Sequence, residues 1–516
     1  MRDMILVFGD QLDANAPILN NADPGQDTVW MAEVQEEASH VWSHKTRLVL
    51  FFAAMRHFRD LLRSRGLDVR YHALTEQKSQ DRGRSLAEVL HADIRALQPQ
   101  RLVVTRPGDH RVLRSIQHVA KDTNISLHIA EDTHFLTTPE AYAAFAKGRK
   151  RILLENFYHH MRRETGILMD DQGNPLGGRW NFDKDNRQPL TRSILDRIPR
   201  PPSFPPDQVT GEVINMVTKR FADHPGRCTG FDQPVTQGQA RQALNDFITH
   251  RLPDFGAYED AMHQGEPVLF HSRLSACLNL KLLHPQECLD AALDALQHNA
   301  SPLNSIEGFV RQIIGWREYI RGVYWLHMPD YQDMNALDHH RPVPSLFWDG
   351  LTDMACLRDA MANVVRLAYT HHIQRLMVLG LFALLAGVHP RGFHEWHMAM
   401  YADAVDWVSL PNALGMSQYA DGGIVGTKPY CATGKYIQRM GDFCPACAFD
   451  PAQSYGPRAC PFSVLYWDFL DRHAQKLGTN QRMTLQLANL ERRRRDKTLM
   501  GRTRKSAQEI CKRYWE

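Results

Sequence analysis

Apolar residues follow two rhythms along the chain, and the change from one to the other organises it. Five short runs, MILVFG at 4–9, TVWMAEV at 28–34, DVRYHAL at 68–74, RLVVTRP at 101–107 and ISLHIAED at 125–132, have strand length and strand composition. Between them lie segments with the 3.6-residue period of amphipathic helices, such as RLVLFFAAMRHFRDLLRSRG and SLAEVLHADIRALQ. This alternation predicts a doubly wound parallel α/β domain over residues 1–135. A helical stretch, the polar loop DDQGNPLGGRWNFDKDNRQP and the proline-rich IPRPPSFPPD at 198–207 come next. Prolines there cannot continue a helix and hold the chain extended, so 136–207 is expected to be a helical and proline-rich linker. From 208 onward nearly every apolar stretch has the helical period, which predicts an all-α domain over 208–516.

Composition narrows the function. A chain of 516 residues exceeds one ordinary hydrophobic core. With 43% hydrophobic and 23% charged residues and a formal charge of only +3, it is neither disordered nor coated with basic groups, so any nucleic-acid contact must come from a local patch. The start of the chain shows no basic, apolar and cleavage-site succession, and no run of about 18 apolar residues occurs anywhere. A cytoplasmic monomer without membrane contact is expected. Nine cysteines in a chain this long do not make a secreted disulfide scaffold, and in a reducing compartment close cysteine pairs point to metal or redox chemistry. The first strand runs into GDQLD, so the glycine-rich dinucleotide fingerprint is absent, as is a Walker A loop.

The densest chemistry lies in GDFCPACAFDPAQSYGPRACPF, 441–462. Cys444 and Cys447 in C-x2-C spacing let two thiolates converge, and Cys460 lies a loop later. The fourth ligand could be any of six other cysteines by spacing alone, and four thiolates would hold zinc as well as iron. Other motifs stand out: HSRLS at 271–275, GFVRQIIGWREYI at 308–320, HHIQRLM at 371–377 and YADAVDW at 401–407. In HSRLS, Ser272 and Ser275 at a helix start offer donors suited to a pyrophosphate, with Arg273 adding charge. The run ERRRRDKTLMGRTRK at 491–505 reads as the solvated face of a terminal helix, with nucleic-acid contact as the alternative.

Taken in order, these motifs resemble those of the photolyases and cryptochromes, a family with an N-terminal α/β antenna domain and an all-helical FAD domain. The spacing Cys356, Cys444, Cys447, Cys460 resembles the iron-sulfur bacterial class, whose characterised members are (6-4) photolyases. The resemblance implies a [4Fe-4S] cluster with Cys356 as fourth ligand. It implies FAD bound by Ser272, Arg273, Leu274, Ser275, Arg311, Gln312, Glu318, Arg375, Asp403, Ser409 and Asn412, with Ser409 standing where the family commonly has Asn or a carboxylate beside flavin N5. His372, with His371 as the alternative, is expected to handle the proton that a (6-4) lesion must exchange, since imidazole changes charge near neutral pH. Trp316, Tyr319, Tyr430 and Tyr436 are expected to contact ultraviolet-damaged DNA around a flipped base. Trp396 and Trp348 match residues that pass an electron to the photoexcited flavin, while His397 occupies a position where relatives often have an oxidisable aromatic. Gly9, Asp10, Leu12, Glu33 and Glu37 are expected to hold the antenna chromophore 6,7-dimethyl-8-ribityllumazine, the carboxylates accepting from ribityl hydroxyls. Asp183, Asp185 and Asp260 could host a divalent cation near the DNA. The implied activity is light-driven (6-4) photoproduct repair, and the alternative is a cryptochrome-like photoreceptor.

Overall fold

A computed structural model of the chain describes residues 1–515. All five apolar runs near the start form strands: β1 (Asp3–Leu6), β2 (Thr28–Ala32), β3 (Asp68–His72), β4 (Arg101–Thr105) and β5 (Ser126–Ala130). They make one parallel sheet in the order β3-β2-β1-β4-β5, with Met4 paired to Thr28 on one side and to Leu102 on the other. The inner strands β1, β2 and β4 are covered on both faces and read as apolar runs, whereas the edge strands β3 and β5 keep polar, partly exposed positions.

Side chains alternate across the sheet. Met4, Leu6, Trp30, Leu102 and Val104 pack with the helices Leu86–Leu97 and His110–Asp122. Ile5, Val7, Val29, Met31 and Val103 face the other way, toward the helix Lys45–Ser64, and belong to the same core as the helical remainder of the chain. One face of the sheet is therefore continuous with the helical body. Helices Pro139–Ala146 and Leu154–Thr165 pack against residues 311–327, so this part of 136–207 builds the body as well as connecting to it.

Connections from β1 and β4 leave toward opposite neighbours in the strand order, so a crevice opens where these strands end. Gly9 and Asp10 follow β1, and Pro107, Gly108 and Asp109 follow β4. Among the described residues no helix is long and apolar enough to cross a membrane.

Candidate functional site

Three motifs far apart in sequence meet at one carboxylate. Asp403 lies between the helices Pro390–Met400 and Asp406–Pro411 and receives both Arg375 Nη atoms at 3.0 Å and the Ser275 hydroxyl at 2.6 Å. Asn279 Nδ2 donates to the Asp403 carbonyl at 2.7 Å, and Arg375 Nε donates to Thr370 O at 2.8 Å. Burial opposes charge on Asp403, yet Arg375 and Ser275 hold its carboxyl below the usual carboxylate range. Arg273 occupies the left-handed region at φ +55°, a strained conformation for a long side chain, immediately before Leu274 and the helix Ser275–Asn279. Leu274 is buried, and Ser272 Oγ accepts from its N–H at 3.4 Å.

Three helices of the body are locally underwound, one of them at Arg375 itself. Arg311–Arg317, Arg375–Gly380 and Asn412–Ser417 are π-helical turns, which frequently mark functional sites. Two of them touch so closely that a Cβ on Gly380 would fall 2.2 Å from Ser417 Oγ. Asn412 Nδ2 donates to Val408 O at 2.8 Å, and Ser409 is half-buried on the preceding turn.

Of the histidine pair, His371 is sealed, stacks on His271 at 4.5 Å and has no partner at either ring nitrogen. His372 meets solvent, yet desolvation followed by the Arg375 charge lowers its pKa to about 4. His372 is thus an exposed imidazole held next to the Arg375 charge.

The remaining sequence-predicted residues fall into separate neighbourhoods. Arg311 is ion-paired with Asp183 and lies 3.5 Å from Glu307, while Gln312 donates to Gly308 O at 3.2 Å. Glu318 is fully buried with Arg317 at 2.9 Å and accepts from Thr137 N at 3.1 Å, so its carboxylate is committed to the loop after β5. Trp316 is half-buried, whereas Tyr319 is wholly inside, its one hydroxyl proton shared between Ile152 O and Ile424 O, both at 2.9 Å. Tyr319 backs Trp316 at 6.2 Å and does not itself reach a surface. Tyr430 is exposed and Tyr436 half-buried, and Arg187 lies close enough to bias both phenols. The expected cation site does not form: among the described residues no three carboxylates converge, and Asp183, Asp185 and Asp260 face Arg311, Arg179 and Arg187 respectively.

A cavity of about 110 Å³, open to solvent, lies at the crevice between β1 and β4, walled on its far side by Met398, Val405 and Asp406 of the helical body. Gly9, Asp10, Glu33 and Glu37 line it; Leu12 does not and is buried, its N–H donating to Leu280 O at 3.0 Å. The two glutamates are already occupied. Glu33 accepts from Arg56 at 2.8 and 2.9 Å, from Tyr71 OH at 2.5 Å and from Leu74 N at 2.9 Å, which fills its lone pairs. Glu37 is bidentate with Arg111 at 2.8 and 2.9 Å. Burial raises the pKa of Asp10, whose carboxylate is also reached by the backbone N–H groups of Asp10 and Gly108. Gly108 is required beside it, since a Cβ there would lie 2.5 Å from Asp10 Oδ2 and 2.8 Å from Trp407 Cδ1. Sequence reasoning missed Asp109, Asp406 and Arg47 on the same walls; the PGDH turn after β4 was a readable signal, because it ends the strand beside β1.

Cys356, Cys444, Cys447 and Cys460 line one small void together with Met354, Gly434, Phe443 and Phe449. Cys356 lies in the first turn of the helix Ala355–Leu367 and Cys460 caps the helix Pro461–Leu477, so two positive helix ends face the thiols. Burial pushes the Cys460 thiol up to about 12 and Cys444 to about 11, and the neighbouring cysteines add to each shift. Gly434 presses against the void: a Cβ there would fall 2.6 Å from Cys460 Sγ. Among the described residues no three ligating side chains close on a point as one tetrahedral ion requires, with Zn–S near about 2.3 Å; the four thiols instead ring a space.

The comparisons with known proteins agree with this architecture. A family model for deoxyribodipyrimidine photo-lyase-related proteins matches residues 5–233. A (6-4) photolyase of Agrobacterium fabrum is 45% identical over 496 residues, which span 96% of this chain and 97% of that one. Among solved structures, a bacterial class III photolyase from Agrobacterium tumefaciens matches 86% of both chains at a TM-score of 0.55 and 15% identity. A Synechocystis cryptochrome matches 86% of this chain and 88% of its own at a TM-score of 0.53 and 12% identity. At such identities the structures establish the fold.

Proposed function

The chain belongs to the photolyase/cryptochrome family, and we propose that its activity is that of a (6-4) photolyase, a lyase that repairs ultraviolet-damaged DNA with light. The observation that carries this reading is the meeting of Ser275, Arg375 and Asp403 near the exposed His372, where the cleft for the lesion would lie. FAD fits that place on three counts. A strained Arg273 precedes a helix start, a buried but ionised carboxylate fixes a guanidinium, and a π-turn begins at that same arginine. When bound, reduced and photoexcited FAD supplies the electron that opens the lesion. Asp403 holds Arg375, Arg375 fixes the charge beside the cofactor, and the two together keep water from that wall.

His372 is the residue we assign to the lesion's proton. Its depressed pKa leaves the ligand-free imidazole neutral at pH 7, because desolvation and Arg375 both disfavour a second positive charge. An anionic partner in the cleft offsets that repulsion and restores a proton donor where the damaged base is received. Of the four expected aromatic groups, exposed Tyr430 and half-buried Trp316 and Tyr436 are open to the DNA, and Tyr319 acts as support. Four thiols around a shared void suit a polynuclear iron-sulfur cluster of the [4Fe-4S] kind, whose positive irons would relieve their mutual repulsion. The crevice cavity suits 6,7-dimethyl-8-ribityllumazine, with Asp10 as acceptor for its hydroxyls and Glu33 and Glu37 bracing the walls.

The test is direct. Purified, flavin-loaded and reduced protein should restore a duplex carrying one (6-4) lesion under blue light and not in the dark. Photoreduction without any repair would favour the photoreceptor reading.

A further inference from the structure

We propose that Trp42 is the surface terminus of an electron path into the flavin site, standing beyond Trp348 and open to solvent reductants. The inference rests on the reading that a flavin binds beside Arg375 and Asp403. The path is two sets of touching aromatic groups joined through the backbone, since the Trp396 indole N–H bonds the carbonyl of Phe347 and Trp348 is bonded to that carbonyl. Arg375 lies 4.0 Å over the Tyr401 ring, Tyr401 is 5.7 Å from Trp396, and Trp396 is 4.8 Å from Phe347, to whose carbonyl its indole N–H donates at 2.7 Å. Trp348 is the next residue, and its ring lies 5.3 Å from that of Trp42. Exposure rises outward: Trp396 is 1% exposed, Trp348 is half-buried and Trp42 is 46% exposed.

Trp42 is also held, which a stray surface indole would not be. His224 Nδ1–H donates to Ser43 O at 2.8 Å, His44 N donates to Ala399 O at 2.7 Å, and His44 Nε2 bonds Val365 O at 2.9 Å. Gly226, at φ +77°, allows this clamp, since a Cβ there would overlap the His44 ring. A loop from the sheet-bearing part of the chain is thereby locked to the helical body with its indole against Trp348. His397, beside Trp396 at 5.0 Å, is a neutral imidazole and a poor electron donor, and the row through Phe347 and Trp348 passes it by.

The electrons balance as follows. Trp396 gives one electron to photoexcited oxidised flavin; Trp348 refills Trp396, and Trp42 refills Trp348. Trp42, one electron short, releases its indole proton to water and is restored by a hydrogen atom from a small thiol in solution.

Flavin-loaded wild type, Trp42→Phe and Trp396→Phe would be illuminated anaerobically with and without dithiothreitol, following bleaching of the flavin band and mapping oxidised tryptophan by peptide mass spectrometry. Trp42→Phe should retain flavin, bleach several-fold more slowly and show faster recombination of the transient tryptophan signal. Without thiol, Trp42 should be oxidised in wild type and spared in Trp396→Phe. Bleaching of Trp42→Phe at the wild-type rate, or equal Trp42 oxidation in both proteins, would overturn the path. Wild-type protein that takes up no flavin would instead overturn the reading of the site, and the path with it.

Discussion

Replacing Asp403 by Asn tests whether the central carboxylate serves the cofactor or merely the fold. Asn keeps the shape but offers one acceptor where Arg375 needs two, and turns an amide N–H toward a guanidinium N–H. Breaking a buried pair by removing one partner costs about 3–5 kcal/mol. The Arg375 side chain is 22% exposed, so the lower end applies, and a loss of about 3 kcal/mol is expected in urea unfolding of flavin-free protein. Because the folded-state pKa of Asp403 lies below its ordinary value, the pair's contribution is complete above about pH 4 and disappears only as pH falls through the lower folded value. The gap between wild type and Asp403→Asn should therefore be flat from neutral pH downward and close only in strong acid. The decisive comparison is the double variant Arg375→Met with Asp403→Leu, which removes both charges. Buried pairs replaced by apolar groups are often neutral for stability, so this protein should unfold within about 1 kcal/mol of wild type while retaining no flavin. A double variant that keeps its flavin, or an Asp403→Asn protein as stable as wild type, would refute the reasoning.

Three further outcomes follow from other parts of the site. His372→Ala should cut (6-4) repair by about 10²- to 10⁴-fold with flavin content unchanged, the range for loss of a positioned acid; wild-type repair would move the proton role elsewhere. Cys356→Ala should lose iron and sulfide on elemental analysis and become insoluble, whereas wild-type protein holding zinc without iron would sink the cluster assignment. Gly108→Ala would drive a methyl into Asp10 and Trp407, so lumazine retention should drop while FAD retention holds; unchanged lumazine fluorescence would count against Asp10 as the ligand's acceptor.

Much of this was legible in one dimension because the relevant physics is local. A strand covered on both faces is apolar along most of its length, so β1, β2 and β4 announced themselves as runs, while the edge strands β3 and β5 showed as mixed segments of strand length. A C-x2-C pair is a local statement too. What stayed hidden depends on partners distant in the chain. Glu33 reads as a free carboxylate until Arg56, Tyr71 and Leu74, 23, 38 and 41 residues away, fill its lone pairs. Tyr319 reads like Trp316, and only the carbonyls of Ile152 and Ile424 show that one is support and the other is open. Asp183, Asp185 and Asp260 read as a cation cluster until each meets its arginine.

The same logic explains why the most strained features sit where the chemistry is proposed. A left-handed Arg273, three π-turns and a sealed, unpartnered His371 each cost stability, and none has a sequence signature of its own. Arg273, His371 and two of the π-turns lie within a few residues of Ser275, Arg375 or Asn412, and among the described residues no π-turn occurs in the sheet or its helices. Strain of that kind persists only where the surrounding core over-determines it, and here that core runs unbroken from one face of the sheet through the helical body. The α/β layer is thus more than a holder for a second chromophore: by packing Arg47 against the Ala404 carbonyl and locking the loop of Trp42 through His44, it braces the walls between which Asp403 and Trp396 are held.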